Sequence, residues 1–278
     1  MSWRPLADIS VLQRRAQMLG QVREFFADRS VVEVQTPLLG SATVTDPDVQ
    51  AIAVPGYGFL QTSPEYFMKR LLAAGMPSCY QLASAFRHEE QGRIHNPEFT
   101  MLEWYRLGFD DVQLRAEVAA LCDLLLGKGA YHSVTYPSLV GDLERPREEL
   151  DLAFAEACAA LTDGRYFVTD YPAEQAALAQ LRSDDPRWAS RFELIVNGVE
   201  VANGYYELTD PQVHGARFAN DLQMRTGRGL DAVQIDEEFL SALEAGLPAC
   251  AGVAMGFDRL VMLALGAQSL DQVLAFRG

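Results

Sequence analysis

The stretch Phe86-Arg87-His88-Glu89, followed after a polar interval by His95-Asn96-Pro97-Glu98-Phe99-Thr100-Met101-Leu102-Glu103, decides the fold. It reads as two extended runs, Cys79 to Glu89 and Glu98 to Tyr105, separated by a loop (Glu90 to Pro97) of hairpin-compatible length. Residues two apart in a strand share a face, so Arg87 and Glu89 point one way while Phe86 and His88 point the other. By the same rule Phe99, Met101, Glu103 and Tyr105 line one face, which sets an acid among apolar and aromatic neighbours. Burying such a carboxylate is costly unless it meets a cation. A salt bridge between Arg87 and Glu103 inside a core would satisfy both groups without any ligand, and that reading stands beside a binding role.

Upstream, Ser10 with Gln13 forms a capping-box pattern, and Leu12, Ala16, Leu19, Val22 and Phe26 recur at helical spacing. A long first helix follows, then a strand over Val31 to Val34 that stops before Pro37. Thr62-Ser63-Pro64-Glu65 opens another helix with proline in its first turn, and Gly75 and Pro77 mark its end. Glu65 reads there as a capping-box carboxylate following Thr62, or as a ligand contact.

Downstream, Val112 to Leu126 is helical in pattern, whereas Gly127 to Asp170 carries no diagnostic signal. Phe192 to Val196 and Val199 to Ala202 flank Asn197-Gly198, a strong signal for a two-residue hairpin turn. Such a turn sets Val196 against Val199, Ile195 against Glu200 and Glu193 against Ala202, which places Glu193 and Glu200 diagonally on one face. Two such acids are either a solvated sheet face or oxygen ligands for Mg²⁺ that also holds phosphate oxygens. Asn203, Tyr205 and Glu207 follow, with Gly204 as a candidate bulge. The chain closes with a short strand, Cys250 to Ala254, and a helix from about Asp258. Arg259 lies in that helix's first turn, where the dipole disfavours a cation unless an anion binds there, and a polyphosphate would resolve the conflict. Hairpin-joined strands with helices collected around them indicate an α+β fold on an antiparallel sheet.

With 49% hydrophobic and 22% charged residues over 278 positions, the chain has an ordinary globular composition. Lys plus Arg number 23 against 38 Asp plus Glu, a formal net charge of −15 that opposes a broad nucleic-acid footprint. Cys79, Cys122, Cys158 and Cys250 are scattered with no Cys-x-x-Cys, so neither a zinc ribbon nor a disulfide framework is expected. The N-terminal residues lack the apolar core of a secretory signal, and the longest apolar runs are far short of the ~20 residues that span a bilayer. The expectation is a cytoplasmic protein with no membrane association.

Taken together, these residues resemble the class II aminoacyl-tRNA synthetases, and within them the lysine-specific catalytic core, over nearly the whole chain except roughly residues 127 to 170. The helix and strand ending at Pro37 look like motif 1, the family's dimer interface; Phe86 to Glu103 look like motif 2; Gly252 to Leu260 look like motif 3. The resemblance implies a homodimer with ATP as substrate and Mg²⁺ as cofactor. It implies that Arg87 binds the α-phosphate and the substrate carboxylate, that Glu89 reads the adenine amino group, that His95 lies at the nucleotide, and that Phe99 stacks on adenine. Arg259 would bind the γ-phosphate and cover the other adenine face, so Arg87 and Arg259 are the expected catalytic pair. Glu193 and Glu200 would hold Mg²⁺. Glu103, Tyr105 and Glu207 match the pocket for a lysine side-chain amine, Glu65 a contact to the other amine, and Asn203, with Tyr205 beside it, a contact near the carboxylate.

Two departures sharpen the expectation. The motif 1 helix begins near Ser10, which leaves no room for an anticodon-binding domain, so a single catalytic domain over residues 1–278 is expected. Ala254 stands where the synthetases commonly carry glycine, and Ala42-Thr43-Val44-Thr45-Asp46 replaces their glycine-rich segment at the amine site. This pattern is most similar to the elongation factor P lysine ligases, which implies activation of lysine or (R)-β-lysine and its transfer to a lysine of elongation factor P, with tRNA not the expected acceptor. The competing readings are a truncated lysyl-tRNA synthetase-like enzyme that charges RNA or another carrier, and an inactive paralogue that only binds a partner.

Overall fold

The apolar spacing near the N-terminus becomes helix α1 (Ile9–Ala27), whose buried face runs through Met18, Val22, Phe25 and Phe26. The computed structural model describes residues 3–88 and 91–277. After α1 come β1 (Val32–Glu33), α2 (Glu65–Ala73), β2 (Cys79–Phe86), β3 (Glu98–Leu107) and α3 (Asp111–Leu126). Then follow β4 (Tyr131–Thr135), α4 (Tyr136–Val140), α5 (Arg147–Ala160), β5 (Arg165–Thr169), β6 (Arg191–Val196) and β7 (Val199–Tyr206). The chain ends through α6 (Pro211–Gly227), α7 (Glu237–Gly246), β8 (Cys250–Gly256) and α8 (Phe257–Ala264). The fold is α+β. No described helix is long and apolar enough to cross a membrane.

Two compact units make up the chain. The first comprises residues 1–105, 209–248 and 256–278. In it β2 pairs antiparallel with β3, setting Gln81 opposite Glu103 and Cys79 opposite Tyr105, and β1 pairs parallel with β2. Phe26 of α1 stacks on Tyr80 of β2 at 4.3 Å between centroids and meets Trp104 of β3 edge-on at 5.3 Å. Tyr66 of α2 stacks on Phe239 of α7 at 4.3 Å, so one aromatic contact locks the helix that carries Glu65.

The second unit comprises residues 106–208 and 249–255. Its strands run in the order β8-β7-β6-β5-β4. All pairs are antiparallel except β4 with β5. Its core gathers Tyr136, Val168, Tyr171 and Ile195. The segment 127–170, silent in sequence, supplies β4, α4, α5 and β5 to that unit.

Several expectations change. The antiparallel sheet is a mixed one, because β1 and β4 join by parallel pairing. Helix α1 is capped by Asp8 without a side-chain hydrogen bond, so the Ser10/Gln13 box does not form. Helix α2 has Pro64 at its N-cap. The Glu65 amide is satisfied by Ser63 Oγ at 3.0 Å rather than by a Thr62 box. The Asn197-Gly198 turn does form, with both residues at positive φ (50° and 76°), the combination that a two-residue turn of this hand requires.

Candidate active site

In the first unit, three short elements build an acidic recess. Glu103 on β3 is 2% exposed and accepts hydrogen bonds from Ser63 Oγ (2.7 Å) and Tyr105 Oη (2.6 Å), one to each carboxylate oxygen. Burial pushes the Glu103 carboxyl up to about 7, and Glu65 adds to that rise. Glu65 in turn accepts from Lys69 Nζ at 2.6 Å, one helical turn away on α2. Glu65, expected at the other amine, is thus brought beside Glu103 and Tyr105, which were expected in one pocket with Glu207. Ser63 and Lys69 were not anticipated, because a serine before a helix and a lysine inside one are commonplace until the fold turns them inward.

The nucleotide-type residues of the same unit are arranged around the β2–β3 connection. Strand β2 ends at Phe86, so strict alternation does not extend to Arg87. Instead the Arg87 amide donates to Pro97 O at 2.9 Å, and the guanidinium lies over the Phe99 ring at 5.2 Å from its centroid. The oxygens of Glu103 are held by Ser63 and Tyr105, which is the ligand-free satisfaction that a core bridge to Arg87 would otherwise have supplied. Glu89 lies outside the described residues. The His95 carbonyl accepts from the Gly92 amide, which holds the loop. Arg259, in the first turn of α8, donates from Nε to Ile94 O at 3.2 Å. Beside it Asp258, named in the sequence only as the start of the helix, accepts from the Thr100 amide at 2.8 Å and pairs with Arg15 at 2.7 Å, which ties the start of α8 to β3 and α1.

In the second unit the β6–β7 hairpin carries the other candidates. A bulge shifts its register between Leu194 and Ile195: Ile195 still opposes Glu200, but Leu194 opposes Ala202 and Glu193 opposes Asn203. The anticipated Glu193–Ala202 pair is therefore corrected, and the irregularity falls at Val201 rather than at Gly204. Glu193 and Glu200 keep a common face, because Ile195 shares Glu193's side of β6 and stands opposite Glu200. Gly204 has a packing role, since a Cβ there would meet Phe192 Cζ at 2.4 Å.

Glu193 is 7% exposed, and burial together with Glu200 pushes its carboxyl up to about 7 against the opposing pull of Arg191. Arg191 donates to Glu193 Oε1 at 2.6 Å, to Asn203 Oδ1 at 3.3 Å and to Gln175 O at 2.7 Å, and sits over the Tyr171 ring at 4.2 Å. This guanidinium organises two anticipated residues, yet its own position in the sequence held no motif. Tyr205 lies 5.9 Å from Arg191 by ring centroid. Glu207 is 1% exposed, with its backbone carbonyl accepting from Gln180 Nε2. Ala254 on β8 stands opposite Asn203. Among the described residues no group of three or more His, Cys, Asp or Glu side chains is placed to hold a metal by itself. Two carboxylates of Glu193 and Glu200 type are nonetheless hard oxygen donors that suit Mg²⁺ when phosphate oxygens complete its shell.

Residues 4–277 match the family model of class II tRNA synthetases (D, K and N). The chain belongs to this family. Its similar relatives include the elongation factor P–(R)-β-lysine ligase of Vibrio cholerae serotype O1, 44% identical over 99% of this chain and 97% of the relative. The ligase of the same name from Proteus mirabilis is 43% identical over 99% and 97%. That from Salmonella paratyphi B is 42% identical over the same shares. The stretches that resemble motif 2 form β2 and β3, and those that resemble motif 3 form β8 and the start of α8.

Proposed function

We propose that this chain is an ATP-dependent ligase that activates (R)-β-lysine or lysine as an adenylate and joins it to a lysine side chain of elongation factor P. The observation that carries the reading is the buried Glu103, its two oxygens held by Ser63 and Tyr105 beside Glu65, in a chain 42–44% identical to ligases of that name. A buried acid of this kind recovers its desolvation cost when an ammonium arrives. Aspartate or asparagine would bring no such group.

The adenylation step needs alignment and charge stabilisation rather than a protein nucleophile. A substrate carboxylate oxygen attacks the α-phosphorus and pyrophosphate leaves; Arg87 and Arg259 balance the charge, and Phe99 offers the adenine a stacking face. Glu89 and His95 complete the nucleotide contacts, while Glu207, Asn203, Tyr205 and Ala254 shape the amino-acid side. Bound Mg²⁺, held by Glu193 and Glu200, would neutralise phosphate charge. In the second step an uncharged ε-amine of the acceptor attacks the adenylate carbonyl; the amide bond forms, the bond to AMP breaks, and the amine loses a proton.

The family match over residues 4–277 supports reading the chain as a single catalytic domain. Exposed Ile9, Val32, Leu38 and Leu39 around motif 1 support a homodimer, checked by light scattering at micromolar concentration, where a monomer alone would refute it. The proposed site of action is the cytoplasm. Transfer to tRNA is disfavoured by the net charge of −15. The decisive experiment is ATP–pyrophosphate exchange with a panel of amino acids and diamines, followed by mass analysis of elongation factor P. Exchange driven by lysine isomers and a matching mass increment on the protein are expected; an aminoacylated RNA instead would overturn the assignment.

A further inference from the structure

Lys69 has no role in the reaction as written, yet its side chain is fully buried, with 0% exposure. A helical Lys–Glu pair four residues apart ordinarily lies in solvent and contributes little. Taking an ammonium out of water costs far more than such a pair returns, so its placement asks for another function. Its Nζ is 2.6 Å from Glu65 Oε1 and 6.0 Å from the Tyr105 ring centroid. It acts on Glu103 as a favourable charge, against Glu65. Tyr105 on its own strand and Cys79 on β2 also face Glu103, and burial keeps the Cys79 thiol neutral. Above about pH 7, where Glu103 is ionised, Glu65, Glu103 and Lys69 sum to one net negative charge.

We propose that Lys69 is a positioning residue that sets the charge of the recess: it holds Glu65 and cancels one of the two carboxylates, so that a single ammonium of the substrate is matched by a single net charge. This rests on the reading above that Glu103 receives a substrate ammonium, and it makes Glu65 part of the same recess rather than the separate contact to the other amine that the resemblance implied. It has a consequence opposite to that of a structural role. Glu65→Gln leaves Lys69 facing Glu103 with no net charge for the substrate, and adding Lys69→Met to that variant restores one net negative charge. Lys69→Met alone leaves two carboxylates without a cation, so one of them holds a proton to higher pH.

The test is KM for lysine and for ATP in pyrophosphate exchange from pH 6 to 9, with thermal melts to verify folding. Glu65→Gln is expected to raise KM for lysine by about tenfold or more, and the Glu65→Gln/Lys69→Met double variant to recover about half of that loss on a logarithmic scale, with KM for ATP unchanged throughout. Lys69→Met is expected to move the fall in lysine affinity on acidification to lower pH, because two carboxylates that share one proton still carry one net negative charge, and Lys69→Arg to leave it where the wild type has it. A double variant no better than Glu65→Gln overturns the proposal and leaves the pocket reading standing. So does a double variant that fails to fold where Glu65→Gln folds, because Lys69 then serves packing alone. If Glu65→Gln and Glu103→Gln both leave KM for lysine unchanged, the pocket reading itself falls.

Discussion

Glu103→Gln should stabilise the ligand-free protein while it disables lysine activation. A carboxyl held at about 7 rather than its ordinary 4.5 is penalised in its charged form, by roughly 3 kcal/mol in the folded chain above pH 7. The sign follows from the raised value: the folded chain binds the proton more tightly than the unfolded one. Stability is thus highest near and below pH 4.5 and is lost as pH rises through about 7. Glutamine keeps the shape and removes the charge. Its amide nitrogen replaces one acceptor, but the hydroxyls of Ser63 and Tyr105 can each turn to accept, so the substitution costs about one hydrogen bond, ~1 kcal/mol. The net gain is about 2 kcal/mol at pH 8, or roughly 4–8 °C in Tm for a chain of this size. It should shrink to nothing or reverse near pH 5. Melting the wild type and the variant side by side from pH 5 to 8.5 checks the slope, and exchange kinetics check the accompanying loss of lysine affinity. A variant less stable than wild type at pH 8, or a difference that ignores pH, would refute the reasoning that Glu103 is a strained anion awaiting a cation.

Glu200→Gln should abolish most adenylation yet leave the melting temperature within about 2 °C, since Glu200 is exposed; exchange assays with a thermal melt decide it. Ala254→Gly should raise activity with α-lysine and narrow the preference for β-lysine, because one methyl group discriminates by about 10- to 200-fold at most; steady-state exchange with both isomers measures the ratio. An unchanged ratio would shift attention to the segment from Thr43 to Asp46, where the buried Thr43 hydroxyl has no hydrogen-bond partner among the described residues. Gly204→Ala should destabilise by about 1–3 kcal/mol in urea denaturation, because the new Cβ would stand 2.4 Å from Phe192 Cζ and 3.0 Å from Val253 Cβ.

What the sequence alone determined lies where neighbours along the chain decide the outcome. The Asn197-Gly198 turn forms because these two residue types accept positive φ cheaply, and the turn by itself aligns Val196 with Val199 and Ile195 with Glu200. Glycine after α2 ends that helix at Ala73 for the same reason. The resemblance to the class II family was legible because the order and spacing of its stretches are local facts, and residues 4–277 match that family.

Tertiary structure decided whatever depends on groups distant in sequence. The bulge at Val201 moves Glu193 from Ala202 to Asn203, since packing of Phe192 against Gly204 sets the strand register beyond the turn's reach. Strands β1 and β4 join by parallel pairing, which no hairpin signal can announce because such partners are joined through long connections. Ser63 meets Glu103 across 40 positions, Asp258 meets Thr100 across 158, and burial then raises Glu103 to about 7. A carboxylate's charge state depends on the dielectric and the charges within a few ångströms of it, and those neighbours exist only once the chain has folded.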